Sequence, residues 1–155
     1  MFTERLIHAL CYLSVNLISL EGGSTTAQNR YWQSQGNAAL NVCRMVARRA
    51  KTHHLDPVQV IALSYIETRH RNDLTSPAGA KGALQALPKY WSRPHDPDYI
   101  TAGLRAWRYY SKKYPDPQTA VGRYNGGGRE TQYARGFIKH YRELKNLESL
   151  LRWPK

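Results

Sequence analysis

The sequence predicts an all-α fold, and three features carry that prediction. Apolar residues recur at helical spacing, Asp-Pro pairs recur as helix starts, and no stretch of alternating apolar and polar residues is long enough for a sheet. At most a small β-hairpin fits, within residues 74–83. Residues 1–27 open the chain with Arg5, the fifteen-residue, largely apolar run Leu6 to Leu20, and the small-residue pattern Thr25-x-Ala27. This reads as a signal-peptide-like segment cut after Ala27, or as a retained N-terminal helix that packs on a partner. The run is short for a membrane span, which needs roughly 20 residues. Residues 28–36 are polar and read as a linker. From Asn37 to about Thr52, Leu40, Cys43, Val46 and Ala47 repeat at helical spacing, with Arg44, Arg48, Arg49 and Lys51 between them. Asp56-Pro57 supplies an N-cap followed by proline at the first helical position, so a helix should run from Pro57 to about Thr68. Leu74 to Ala83 is rich in Ser, Pro, Gly and Ala and should be irregular. A short helix or turn is expected around Leu84, stopped near Pro88. The Asp-Pro pair recurs at Asp96-Pro97, ahead of a helix from Tyr99 to about Tyr114, and at Asp116-Pro117, ahead of one from Gln118 to Tyr124. Gly126-Gly127-Gly128 ends the latter, and Thr131 to about Leu150 forms the last helix.

A chain of 155 residues with 41% hydrophobic composition suits one domain, which the patterning places at residues 37–150. Net charge is +12. A basic surface favours a polyanionic partner: nucleic acid, an anionic membrane face, or a cell wall carrying peptide carboxylates. Cys11 and Cys43 are the two cysteines. Loss of the leader would leave Cys43 alone, without an internal disulfide. Cys43 itself sits on what reads as the buried side of a helix.

The chemistry starts at Glu67, four residues after Leu63 and seven after Val60, on the apolar face they define. An apolar setting disfavours the charged carboxylate and raises its pKa, which a general acid near neutral pH requires. Taken alone, the fragment fits equally a surface glutamate paired with Arg69 or Arg71, and that is the commoner arrangement. The segment beginning nine residues later reverses the preference: Ser76-Pro77-Ala78-Gly79-Ala80-Lys81-Gly82-Ala83-Leu84-Gln85-Ala86-Leu87-Pro88.

With that segment in register after Glu67, the chain resembles the soluble lytic transglycosylase family, relatives of goose-type lysozyme. The family places its catalytic glutamate at a helix end, followed by a loop whose pattern Ser76, Gly79, Ala80, Gly82, Gln85 and Pro88 match. Tyr99-Ile100-Thr101-Ala102-Gly103 is similar to a helix start of that family. Ala120-Val121-Gly122-Arg123-Tyr124-Asn125-Gly126-Gly127 is similar to its tyrosine–asparagine block, and Tyr133 with Tyr141 to its closing aromatic helix. The resemblance spans roughly residues 40–142. The chain departs from the family pattern at Thr68, which stands for the usual Ser, at Ala83-Leu84 in place of Leu-Met, at Tyr99 in place of Asn, and at Gly126 in place of Ala; these bear on subsite shape more than on the reaction.

The resemblance implies a lysozyme-like helical domain that cleaves the β-1,4 bond between N-acetylmuramic acid and N-acetylglucosamine and leaves a 1,6-anhydro ring. Ordinary glycosidases need two carboxyl groups. Here Glu67 alone would serve as acid and then base, with no cofactor. Ser76 and Gln85 would hydrogen-bond the sugar, and Tyr124 and Asn125 would hold its acetamido group or orient Glu67. Tyr133 and Tyr141 are further substrate-binding candidates, with Tyr141 a candidate partner of the Glu67 carboxyl; core packing is the competing reading for the tyrosines. The expected partner is the peptidoglycan glycan strand, and the expected location is periplasmic or exported. A phage particle or a secretion complex is the alternative setting, with its proteins as further partners.

Other readings stay open at this point. Asp73 could act as a second, water-activating acid and make the enzyme a hydrolytic muramidase, although a loop role suits it better. No metal site is expected: His53-His54 are adjacent, and His70, His95 and His140 are scattered and read as surface or loop residues. The main non-enzymatic rival is nucleic-acid binding by a basic aromatic face at Arg105, Trp107, Arg108, Tyr109 and Tyr110 with Lys112 and Lys113. Inward packing of Trp107 and Tyr110 is the expected alternative.

Overall fold

The computed structural model describes residues 2–152. They form eight α-helices and one π-helical turn: α1 (Glu4–Leu20), α2 (Thr25–Tyr31), the π-helical turn (Trp32–Gly36), α3 (Asn37–Thr52), α4 (Pro57–Thr68), α5 (Pro88–Trp91), α6 (Tyr99–Lys113), α7 (Pro117–Tyr124) and α8 (Gln132–Arg152). The described residues contain no strand. The segment expected to hold a hairpin carries only isolated bridges, Thr75 with Lys81 and Lys81 with Ala86.

Capping chemistry sets most helix starts. Asp56 accepts from the Val58 amide at 2.9 Å and Asp116 from the Thr119 amide at 3.1 Å, each with proline just inside the helix. The third Asp-Pro pair behaves differently. Asp98, two residues later, caps α6 by accepting from Thr101 at 3.2 Å. Asp96 instead binds the Arg105 guanidinium at 2.8 Å and the Arg93 amide at 2.8 Å. A well-placed ion pair with a residue of the helix itself outcompetes the local cap. The helix expected near Leu84 is a run of turns, and the short helix α5 begins at Pro88, where that element was expected to stop.

The core forms around α4, which packs against α1, α3 and α8. Val58, Val60, Ile61, Ala62 and Leu63 are all fully buried, so this helix is apolar nearly all round. Trp107 of α6 and Phe137 of α8 meet beside it, with ring centroids 5.8 Å apart.

The N-terminal segment belongs to this core. Ile7, Leu10 and Val15 of α1 are fully buried, each contributing about 1.5–3 kcal/mol. Cys11 is disulfide-bonded to Cys43 of α3, with Cα atoms 5.7 Å apart. A cut after Ala27 would remove these residues and half of that disulfide. Residues 28–36, expected as a linker, are helical: Ser24 caps α2 by accepting from Ala27 at 3.1 Å, and the π-helical turn carries the chain directly into α3. No helix among the described residues is long and apolar enough to cross a membrane.

Candidate active site

Glu67 lies in the last turn of α4, half-buried. The two arginines that could have neutralised it are engaged elsewhere. Arg69 pairs with Glu21 at the end of α1 (3.0 Å), and Arg71 pairs with Asp73 (2.9 Å). The hydrogen bond Glu67 receives comes from the Tyr133 hydroxyl, in the first turn of α8. Burial pushes the Glu67 carboxyl up from its ordinary 4.5 to about 7, and the Tyr133 hydrogen bond pulls it the other way. Tyr133 and Tyr124 are themselves raised well above the ordinary phenol value, first by burial and then by the Glu67 charge. Both therefore stay neutral hydrogen-bond donors beside a carboxyl that exchanges its proton near neutral pH.

Two glycines let these elements approach. A Cβ on Gly122 of α7 would lie 2.3 Å from the Gly128 carbonyl oxygen, so only glycine lets the 125–131 loop fold back and start α8 with Tyr133 over Glu67. A Cβ on Gly103 of α6 would lie 2.5 Å from the Leu84 Cβ. Leu84 is fully buried, and its carbonyl accepts from the Tyr124 hydroxyl at 2.5 Å. The blocks around Gly103 and Tyr124 thus meet at one point of the 82–85 turn.

That turn is stitched to the end of α4. Thr68 Oγ1 lies 2.9 Å from the Ala83 carbonyl, and Asn72 accepts from the Ala83 amide at 3.0 Å. Within the loop, Ser76 accepts from the Ala80 amide at 3.0 Å, and the Gln85 amide nitrogen donates to the carbonyls of Leu74 (3.1 Å) and Gly82 (2.9 Å). Ser76 and Gln85 therefore build the loop.

The structure gathers Glu67, Tyr124 and Tyr133 and braces the Gln85 turn against them. Asn125 is exposed at the end of α7, where its backbone amide donates to Val121 at 3.1 Å. Tyr141 departs from expectation. It stacks on Phe137 and sits beside Gln59 and Asp56, at the opposite end of α4 from Glu67. Eight residues of helix separate Gln59 from Glu67, about 12 Å of rise, so Tyr133 takes the carboxyl-binding role assigned to Tyr141. Asp73 is exposed, and its carboxyl is held below the ordinary value by Arg71. It does not figure among the groups that set Glu67. It lines a separate cavity of about 580 Å³ with Tyr31, Ser34 and Asn72, which Glu67 does not border.

Two histidines expected at the surface are buried instead. His70 and His140 are 1% and 2% exposed, joined through Ser14 of α1. Burial, aided by nearby charge, holds both imidazoles neutral down to about 3. Nothing in the local sequence announces this, because the partners lie 56 and 126 residues from Ser14. Among the described residues no three His, Cys, Asp or Glu side chains cluster as metal ligands. On the basic aromatic face, Trp107 is fully buried and Arg105 is committed to Asp96, while Tyr109 remains exposed. No protein-family model, curated protein or solved structure matches this chain.

Proposed function

We propose that this chain is a peptidoglycan lytic transglycosylase with Glu67 as its single acid/base. One observation carries the reading. Glu67 is a half-buried carboxyl at a helix end, held by a tyrosine hydroxyl with both neighbouring arginines paired elsewhere, and it is raised to about 7. Such a group holds a proton to give and accepts one back near neutral pH. Glu67 protonates the oxygen leaving the muramyl anomeric carbon as that bond breaks, while the muramyl acetamido oxygen assists from the other face. The Glu67 carboxylate then takes the proton of the sugar's 6-hydroxyl, whose oxygen bonds to the anomeric carbon and closes the anhydro ring. Tyr133 holds the carboxyl in place for both transfers. No second carboxylate is required, and the engagement of Asp73 with Arg71 supports this route over hydrolysis. Gln85, Ser76 and Asn125 supply the amide and hydroxyl groups that a sugar acetamido group would meet.

The disulfide between α1 and α3 suits an oxidising compartment, in keeping with work on the cell wall. The test is release of soluble muropeptides from purified sacculi by the wild-type chain and by Glu67→Gln. The reading requires release by the first and none by the second. A folded wild-type chain that releases nothing, or an active Glu67→Gln, overturns it.

A further inference from the structure

Ser14 occupies the middle of α1 and is fully buried. Its Oγ lies 2.6 Å from His70 Nε2 and 2.8 Å from His140 Nε2. On the far side of His70, Nδ1 lies 2.9 Å from the buried Ser64 Oγ. The chain Ser64–His70–Ser14–His140 therefore links α4, the turn after it, α1 and α8. A serine hydroxyl carries one proton, so Ser14 donates to one imidazole and accepts from the other, and the two rings hold complementary tautomers. A chain of this kind satisfies its buried polar atoms only while all its members are in place.

The surroundings tighten the same junction. The Tyr65 ring stacks on His140 at 3.7 Å, and the Arg69 guanidinium lies over the Tyr65 ring at 4.4 Å. Glu21, at the end of α1, accepts from Tyr65 (2.7 Å) and Arg69 (3.0 Å). The charged groups facing the pair are Arg69 from the end of α4, Glu21 behind it from α1, and Glu143 on α8, 3.6 Å from His140 Nδ1. Glu143, His140 and Ser14 follow the order of an acid–histidine–serine triad. Ser14 is nevertheless sealed from solvent, and the Glu143 contact exceeds hydrogen-bond length, so the set has no nucleophilic role.

Its position gives it another. Glu67 is three residues before His70, and the intervening chain turns through Arg69 (φ 53°) and His70 (φ 60°), both left-handed. That conformation is uncommon for any residue but glycine, although histidine visits it more readily than arginine, and two in succession persist only when their surroundings hold them. His70 is gripped through both ring nitrogens. We propose that Ser14 and His70 are positioning residues for Glu67: the N-terminal helix supplies the hydroxyl that pins His70, holds the left-handed turn, and so fixes where the Glu67 carboxyl sits and how deeply. The effect on turnover rests on the transglycosylase reading; the effect on the carboxyl does not. It also makes residues 4–20 a working part of the site.

The test follows the Glu67 carboxyl directly, by NMR of the full chain carrying ¹³C-labelled glutamate side chains, in wild type, Ser14→Ala and Ser14→Thr. Burial pushes the wild-type carboxyl up to about 7, so its midpoint is expected there. In Ser14→Ala its midpoint falls by about one pH unit or more toward the ordinary value, and kcat on peptidoglycan drops about tenfold with KM little changed. Ser14→Thr, which keeps the hydroxyl, restores both. Should Ser14→Ala fail to fold, Ser64→Ala loosens the same imidazole from its other side and must move the midpoint in the same direction. A folded variant that melts earlier but leaves the Glu67 midpoint where it is in wild type overturns the proposal, because a purely structural role predicts that pattern. A wild-type chain that cleaves no peptidoglycan counts against the transglycosylase reading, and the titration still decides the positioning role.

Discussion

Replacing Glu67 with glutamine should make the protein inactive and, at alkaline pH, more stable. The carboxyl is raised from 4.5 to about 7 in the folded chain, so folding favours its protonated form. A group raised in this way contributes stability that is fully present below 4.5 and is lost as pH rises through about 7. At about 1.36 kcal/mol per pH unit, that difference corresponds to about 3 kcal/mol of destabilisation once the group is fully ionised. Glutamine has the same shape, keeps an oxygen for Tyr133, and does not ionise. Thermal unfolding of wild type and Glu67→Gln between pH 4 and pH 9 should therefore give curves that lie closest together at the acid end. They should separate as pH rises from about 4.5 to 7 and stay apart above neutrality, with the variant there melting about 6–12 °C higher for a chain of this size. Parallel curves across the range would refute the argument that burial in an apolar setting poises this carboxyl for proton transfer. A variant that gained stability at pH 9 yet still solubilised sacculi would detach the poised carboxyl from the chemistry.

Three further outcomes follow from the geometry. Tyr133→Phe removes the hydrogen bond that opposes the rise of Glu67, so the alkaline limb of the pH–rate profile should move up by about half a pH unit or more while the rate falls about tenfold; an unmoved limb contradicts the pairing. Gly122→Ala drives a methyl group against the Gly128 backbone and should cost about 1–3 kcal/mol in denaturant unfolding, with loss of activity as the start of α8 shifts; a neutral substitution would mean that the loop does not fold back as described. Reducing the Cys11–Cys43 disulfide, which closes a separation of 32 residues, should lower stability by about 3–4 kcal/mol, read as a drop in unfolding midpoint with dithiothreitol that is absent in a Cys11→Ala, Cys43→Ala double variant.

Where the sequence was readable, its signals were local. Asp56-Pro57 and Asp116-Pro117 announce α4 and α7 because a cap and a proline act over one turn, and the spacing of Leu40, Cys43 and Val46 announces α3 for the same kind of reason. The first 36 residues were harder. An apolar run followed by small residues satisfies both an export signal and a core helix, and only the partners of Ile7, Leu10 and Cys11 separate the two. Asp96 and Asp98 compete for one helix start, and Arg105, one helix turn beyond the N-terminal cap contact, decides between them.

At the site, the apolar face of α4 suggested a buried Glu67 but suited a surface glutamate paired with Arg69 or Arg71 as well, and what removes that pairing, Glu21 and Asp73 on those arginines, could not be read from the fragment. Its partner was not legible either, since Tyr133 and Tyr141 lie on the same helix and only one can reach the end of α4. Eight residues turn a helix through two revolutions and about 80° more, which carries Tyr141 away to Gln59 and Asp56. The burial of His70 and His140 had no local signature, because the serine that satisfies them sits on a helix distant in sequence.

The central claim concerns how one carboxyl completes the reaction, and the products record it. Sacculi digested by the wild-type chain in ¹⁸O-labelled water and analysed by mass spectrometry should yield muramic ends lighter by one water than reducing ends, free of ¹⁸O. Reducing muramic ends carrying ¹⁸O would contradict it, since they require water as the nucleophile and a second group to activate it.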